Sequence, residues 1–327
     1  MAKDPALPER LEPFLDSIGW SGATVTPLAG DASFRRYFRV AGNGERKAML
    51  MHAPPPHEDP GPFLDMTNYL RANDFRAPEI YGTDLDEGLV LLEDFGDERM
   101  REHLDAYPED EDVIYRCAVE TLTRLEHAPV ADIAPYDEAA YLLETGLLAV
   151  WYLPAMGIET DHTAFNRMWS QALAPLFDAP KVTVLRDYHA ENIMLLNNGE
   201  QGLIDYQDAL VGHPAYDLVS ILQDARRDVS PELESAMLAH YQRVANPGYD
   251  LGLHYALLGA QRNTKIIGIF TRLWKRDGKA RYLDFLPRMW RLLERDLEHP
   301  GLAPLRDWFD ATIPIEVRAA SLLERAA

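Results

Sequence analysis

From Val182 the sequence runs as an apolar, β-branched stretch that breaks off at Arg186 and Asp187, then resumes as an apolar strand after Asn192. Thirteen residues beyond Asn192, a second apolar strand, Gly202-Leu203-Ile204, delivers another carboxylate, Asp205. Strand ends fix the direction of a side chain, and a metal site needs that fixity. An aspartate, an asparagine five residues on, and a strand-borne aspartate form the set used for phosphoryl transfer to a hydroxyl. Asp187 has the position of the base that orients and deprotonates the attacking hydroxyl. Asn192 and Asp205 supply hard oxygens for Mg²⁺. One neutral and one charged ligand leave the ion enough positive charge to stabilise the transition state. Taken singly, Asp187 and Asn192 read as turn formers and Asp205 as a strand terminator. All three at this spacing, each flanked by apolar strand sequence, favour chemistry. His189, inside the segment, reads as a buried histidine bonded to the loop backbone, outside the metal site.

The elements that must position these residues divide in two. The first part reads as short strands: Thr24 to Pro27, Phe34 to Val40, Lys47 to His52, Ile80-Tyr81 and Leu89 to Leu92. Ala41-Gly42-Asn43-Gly44 is a hairpin turn signal, and the proline-rich stretch from Ala53 to Pro62 is a loop. A helix from Phe63 to Ala72 places Phe63, Met66, Tyr69 and Leu70 on one face. After Phe95-Gly96, helices are expected over Asp112 to Glu126, Tyr141 to Val150 and Ala164 to Phe177. From Pro214 the chain is helical again, ending in Val317 to Ala326. The expected fold is α+β, a bilobal protein-kinase-like architecture with the active site in the cleft. Residues 1–94 form a small β-rich N-lobe that binds nucleotide phosphates. Residues 95–327 form a larger, mainly helical C-lobe carrying the catalytic, metal and acceptor-binding groups.

The chain has 327 residues, enough for two lobes, and 47% of them are apolar, enough for a sizeable core. Its formal charge, 32 − 53 = −21, opposes attraction to nucleic-acid phosphates, so no nucleic-acid partner is expected. Cys117 is the only cysteine, so an intramolecular disulfide is impossible and a reducing compartment fits. Met1 to Arg10 lacks the apolar stretch of a signal peptide, and the apolar region from Leu147 to Ile158 is too short to span a bilayer. A soluble, cytoplasmic protein is expected. Oligomeric state is not legible.

The segment Asp187-Tyr-His-Ala-Glu-Asn192 resembles the Asp-Leu-His-Pro-Gly-Asn motif of the aminoglycoside-phosphotransferase and choline-kinase superfamily. Ile204-Asp205-Tyr206 is similar to that superfamily's metal strand. Gly212-His-Pro214-Ala-Tyr-Asp217-Leu matches the Gly-x-Pro-x-x-Asp-Leu that follows it, where the aspartate is a structural residue at a helix start. The resemblance covers essentially the whole chain and implies ATP and Mg²⁺ as cofactors. Within the superfamily, Gly30-Asp-Ala-Ser33-Phe-Arg35-Arg36-Tyr37, Leu222 to Asp228 and Gly259 to Lys265 look like one particular family. Its members are the anomeric sugar kinases that phosphorylate N-acetylmuramate and N-acetylglucosamine at the C1 hydroxyl in bacterial cell-wall recycling. An amino-sugar substrate is therefore implied.

Further residues follow from this frame. Gly30, Asp31, Ala32 and Ser33 could bring backbone N–H groups against phosphates, or form an ordinary hairpin turn. The strand Lys47 to His52 offers no lysine for the phosphates, since Lys47 sits at its start; Arg35 or Arg36 is the expected substitute. Arg186 stands where many relatives have glycine. Leu89 to Gly96 resembles the superfamily's hinge, which places Glu93 and Phe95 beside the adenine. For the acceptor, Asp224, Arg226 and Arg227 read as lying on a helix, where a solvated face is the simpler account. Arg262 and Lys265, one helical turn apart, could bind a lactyl carboxylate or pair with acidic neighbours. Trp151 and Tyr152 could stack on a sugar, with aromatic core the plainer account. Homoserine, choline and aminoglycoside kinases stay open, as does a non-catalytic pseudokinase.

Overall fold

The computed structural model describes residues 7–28 and 35–319. They fall into two compact units, Met1–Ala106 with Glu191–Asp208, and Tyr107–Ala190 with Ala209–Ala327.

The first unit is built on an antiparallel sheet. Its strands are β1 (Thr24–Pro27), β2 (Arg36–Ala41), β3 (Lys47–His52), β4 (Ile80–Asp84) and β5 (Leu89–Glu93), in the order β1-β2-β3-β5-β4. The glycine-rich turn does what its composition requires: Gly44 takes φ +74°, and β2 and β3 pair from Ala41–Lys47 to Arg36–His52. Because β3 is flanked on both sides, it buries Ala48, Leu50, Met51 and His52. Helix α1 (Leu11–Ser17) packs Leu11, Phe14 and Leu15 against Phe38, Val40, Leu50, Leu89 and Leu91 of the sheet.

Helix α2 (Gly61–Ala72) buries Phe63, Met66, Thr67 and Leu70. Those four positions fall in one stripe at 3.6 residues per turn. Tyr69 lies to the side of that stripe and is half-buried, so Thr67 takes the place the sequence reading gave to Tyr69. After α3 (Met100–Ala106), this unit gains a later hairpin. Strand β6 (Val182–Val184) belongs to the second unit, whereas β7 (Ile193–Leu195) and β8 (Gln201–Leu203) pair antiparallel in the first.

The second unit is mainly helical. Helix α4 (Glu111–His127) is followed by α5 (Glu138–Leu147), a π turn over Leu148–Tyr152, the short α6 (Leu153–Ala155) and α7 (His162–Leu173). Asp137 and Asp161 start α5 and α7 by accepting from backbone N–H groups of the first turn. Strand β6 pairs with β9 (Leu210–Gly212). Then come α8 (Ala215–Leu222), α9 (Pro231–Ala245), α10 (Leu251–Asp277), α11 (Leu286–Leu297), α12 (Ala303–Thr312) and α13 (Ile315–Ala319). Helix α10 runs 27 residues from an Asp250 N-cap to a left-handed Gly278 and buries Gln261, Arg262, Asn263 and Thr264 within the unit. Tyr152 is buried, its ring 5.3 Å from that of Trp290, so it belongs to the core. No helix among the described residues is long and apolar enough to cross a membrane.

Candidate active site

In the second unit, β6 ends at Val184 and the chain turns through Leu185, Arg186 and Asp187. Both oxygens of the buried Asp217, in the first turn of α8, accept from this turn, 2.6 Å from the Leu185 nitrogen and 2.8 Å from that of Arg186. The Ser220 hydroxyl donates to the Arg186 carbonyl at 3.1 Å. Farther along, the Ala190 N–H donates to Asp224 at 3.2 Å. One helix and the loop after it therefore fix the backbone on both sides of the half-buried Asp187. Burial pushes the Asp217 carboxyl up to about 7, against the two N–H donors that favour its charged form. His189 is buried in the same turn, 3.3 Å from the Arg226 guanidinium.

Arg186 has φ +68°, a left-handed conformation costly for any residue with a Cβ. Its guanidinium pairs with Glu144 of α5 and stands 5.2 Å from the ring centroid of Tyr136. Glu144 is itself buried and also holds Lys265, at 2.7 Å, with Gln261 and the Tyr136 hydroxyl donating to it. Burial alone would raise its pKa, but Lys265 and Arg186 outweigh burial and hold the carboxyl below the ordinary value.

In the first unit, the register Ile193–Leu203 of the β7–β8 hairpin puts Asn192 opposite Ile204, and Asp205 follows directly. The Ile204 N–H donates to the Asn192 carbonyl at 3.1 Å, and Asn192 Nδ2 lies 3.3 Å from Asp205 Oδ2. Gln207 Nε2 donates to the other Asp205 oxygen at 3.0 Å. Asp205 is exposed and left-handed, with φ +62°, a conformation that aspartate tolerates better than most residues. Its direction is set by the next residue. Tyr206 is buried, its ring stacked on Phe63 at 5.4 Å and its hydroxyl 2.7 Å from Thr67 Oγ1. The Asn192 amide and the Asp205 carboxylate are hard-oxygen donors, and an amide turn would bring Asn192 Oδ1 towards a cation held by Asp205. The pair fits Mg²⁺. No cluster of three histidine, cysteine or acidic side chains suited to a metal occurs among the described residues.

Of the nucleotide-side residues, Gly30, Asp31, Ala32 and Ser33 lie outside the described residues. Arg36 sits on β2 with its Nη2 2.8 Å from His52 Nδ1, and burial and Arg36 together lower the His52 pKa. Arg35 lies 3.4 Å from Glu58. Tyr37, next to Arg36 on β2, has its pKa raised by burial and then by the Asp205 carboxylate. Lys47 is exposed. Glu93 ends β5 with its side chain on Arg76, and its N–H donates to Glu79 O at 2.8 Å. The Phe95 ring packs under Arg76, at 4.7 Å, and against Gly202.

The acceptor-side residues are not on a solvated helical face. Helix α8 stops at Leu222, and Asp224, Arg226 and Arg227 follow on the loop. The reason is local: Asp224 accepts from the Arg226 N–H at 2.8 Å, a side-chain bond that competes with helix continuation. Arg227 pairs with Glu111 and lies over the Tyr115 ring. Lys265 pairs with Glu144, and Arg262 is buried on α10, a cationic neighbour of Asp217. The residues that sequence reasoning missed are Glu144, Ser220 and Gln207. Their types are common, and no local pattern marks them.

Small antiparallel sheet and helical unit together form the protein-kinase-like α+β fold. The choline kinase of Streptococcus pneumoniae shares it, with a TM-score of 0.63 and 13% identity over 90% of this chain and 97% of that one. So does an ADP-bound aminoglycoside phosphotransferase, with a TM-score of 0.60 and 16% identity over 87% of this chain and 96% of that one. The chain belongs to the phosphotransferase enzyme family, whose sequence model matches residues 24–256. It is a phosphotransferase. Over 93% of its length it is 34% identical to the N-acetylmuramate/N-acetylglucosamine kinase of Caulobacter vibrioides, covering 96% of that protein. The enzyme of the same name from Pseudomonas aeruginosa is likewise 34% identical, with 92% of this chain and 96% of that one covered.

Proposed function

We propose that this enzyme transfers the γ-phosphate of ATP, with Mg²⁺, to the anomeric C1 hydroxyl of N-acetylmuramate or N-acetylglucosamine, a cytoplasmic step of peptidoglycan recycling. The contact between Asn192 and Asp205 carries the phosphoryl-transfer part of this reading. The amino-sugar part is supported by nearly full-length similarity to kinases named for those sugars.

Asp187 is the base. Its turn is fixed by Asp217 and Ser220, so the carboxylate meets the sugar hydroxyl without reorganising. As the hydroxyl oxygen bonds to the γ-phosphorus, its proton passes to Asp187, and the bond from phosphorus to the leaving ADP oxygen breaks. Asn192 and Asp205 would hold Mg²⁺, which when bound would supply positive charge to the phosphate oxygens. Arg35 and Arg36 meet the phosphates in place of a lysine, the backbone near Glu93 and Phe95 meets the adenine, and the segment 1–94 is thus the nucleotide side. Asp224, Arg227, Arg262 and Lys265 are the acceptor-side residues of this reading.

The test is ATP consumption with Mg²⁺ against N-acetylglucosamine, N-acetylmuramate, kanamycin, homoserine and choline. Turnover of the amino sugars that disappears in Asp187→Asn supports the assignment. Turnover of kanamycin alone overturns the sugar, and nucleotide binding without turnover overturns catalysis.

A further inference from the structure

We propose that Glu144 is a positioning residue for the transfer reaction. By holding the Arg186 guanidinium, it keeps residue 186 in the left-handed conformation from which the chain turns into Asp187. The inference rests on Asp187 being the base.

A left-handed residue with a Cβ persists only where its surroundings over-determine it. Three of the contacts at Arg186 do so. The N–H donates to Asp217, the carbonyl accepts from Ser220, and the guanidinium is drawn to Glu144. The first two contacts involve backbone atoms and would serve any residue at this position. The third needs an arginine, and it acts through a long lever anchored 42 residues away. That anchor is rigid because Lys265, Gln261 and the Tyr136 hydroxyl converge on the same carboxylate. Glycine at 186 would need no such anchor, since φ +68° costs it nothing. With arginine there, the geometry of the base depends on a buried ion pair reaching from α5. Without Glu144 the guanidinium loses its ion-pair partner on α5, and residue 186 relaxes towards ordinary φ. The Asp187 carboxylate then swings away from the attacking hydroxyl.

Arg186→Ala and Arg186→Gly separate backbone conformation from ion pairing, because both remove the pair and only alanine keeps the strain. Steady-state rates with ATP and the accepted sugar should show Arg186→Ala losing about tenfold or more in kcat, with KM for both substrates little changed. Arg186→Gly should retain clearly more. Glu144→Gln should match the alanine variant, and adding Arg186→Gly to it should recover most of the lost kcat. Equal kcat for the alanine and glycine variants overturns the proposal, as does an unchanged kcat in Glu144→Gln or a loss expressed in KM. If Glu144→Gln fails to fold by thermal melting, the alanine–glycine comparison decides alone. Asp187→Asn is run beside them. Retained activity there removes the base assignment itself, whereas its loss with equal alanine and glycine variants removes only the role of Glu144.

Discussion

Asn192 and Asp205 stand thirteen residues apart in the chain and within hydrogen-bond reach, Nδ2 of one 3.3 Å from Oδ2 of the other. The β7–β8 hairpin brings them near each other, since pairing Ile193 with Leu203 puts Asn192 opposite Ile204, the residue before Asp205.

If these two residues hold the cation, they fail differently when changed. Asp205→Asn removes the charged ligand and should lower kcat by about 10²–10³-fold at saturating Mg²⁺. Asn192→Ala should instead raise the Mg²⁺ concentration for half-maximal rate by about 10–100-fold, with much of the rate restored at high Mg²⁺. Initial rates across a Mg²⁺ titration check both. A Mg²⁺ dependence like that of the wild type in both variants would remove the pair from the metal site.

The missing strand lysine makes a second expectation sharp. Arg36 is anchored on His52 at 2.8 Å, on the strand whose Tyr37 senses Asp205. Arg36→Ala should raise the KM for ATP about tenfold, the loss of one charge-assisted contact to phosphate. The KM for the sugar should move little. Unchanged ATP KM in both Arg35→Ala and Arg36→Ala would eliminate the two arginines from phosphate contact.

Gly202 is required by packing rather than by backbone conformation. A Cβ there would lie 2.6 Å from Phe95 Cε2 and 2.7 Å from Cδ2. Gly202→Ala should therefore destabilise the protein by about 1–3 kcal/mol, read by urea or thermal unfolding. Combining it with Phe95→Leu, which withdraws the ring, should recover most of that loss. Full stability in the single variant would show that Phe95 simply rotates aside.

A pH effect is expected at Glu126 of α4. Burial pushes the Glu126 carboxyl up to about 7 from an ordinary 4.5, against the Tyr241 hydroxyl that donates to it. Between those values the folded chain keeps a proton that the unfolded chain has lost. Stability therefore falls as pH rises through that window, and the contribution is absent above it. Glu126→Gln should flatten this slope and melt about 2–4 °C above wild type at pH 8.5. Parallel melting curves for the two proteins from pH 5 to 8.5 would exclude the effect.

The sequence by itself determined what depends on neighbours along the chain. The Asp187, Asn192 and Asp205 set is readable because two strands and a tight turn fix its spacing. The Gly44 turn, the helix with Phe63, Met66 and Leu70 inward and the small sheet before the helices follow from periodicity and turn chemistry. Tertiary structure decided the partners of polar groups distant in sequence. Asp217 reads as a helix-start residue, yet its carboxylate holds the backbone of Leu185 and Arg186. Asp224 reads as one of a helix's charges, yet it ends that helix and fixes Ala190. Arg186 reads only as a departure from glycine, and Glu144, 42 residues away, shows no pattern at all. Periodicity gives a side chain its face, but the partner waiting there is set by how distant elements pack. The phosphotransferase class is therefore legible in the sequence, and the bracing around Asp187 is not.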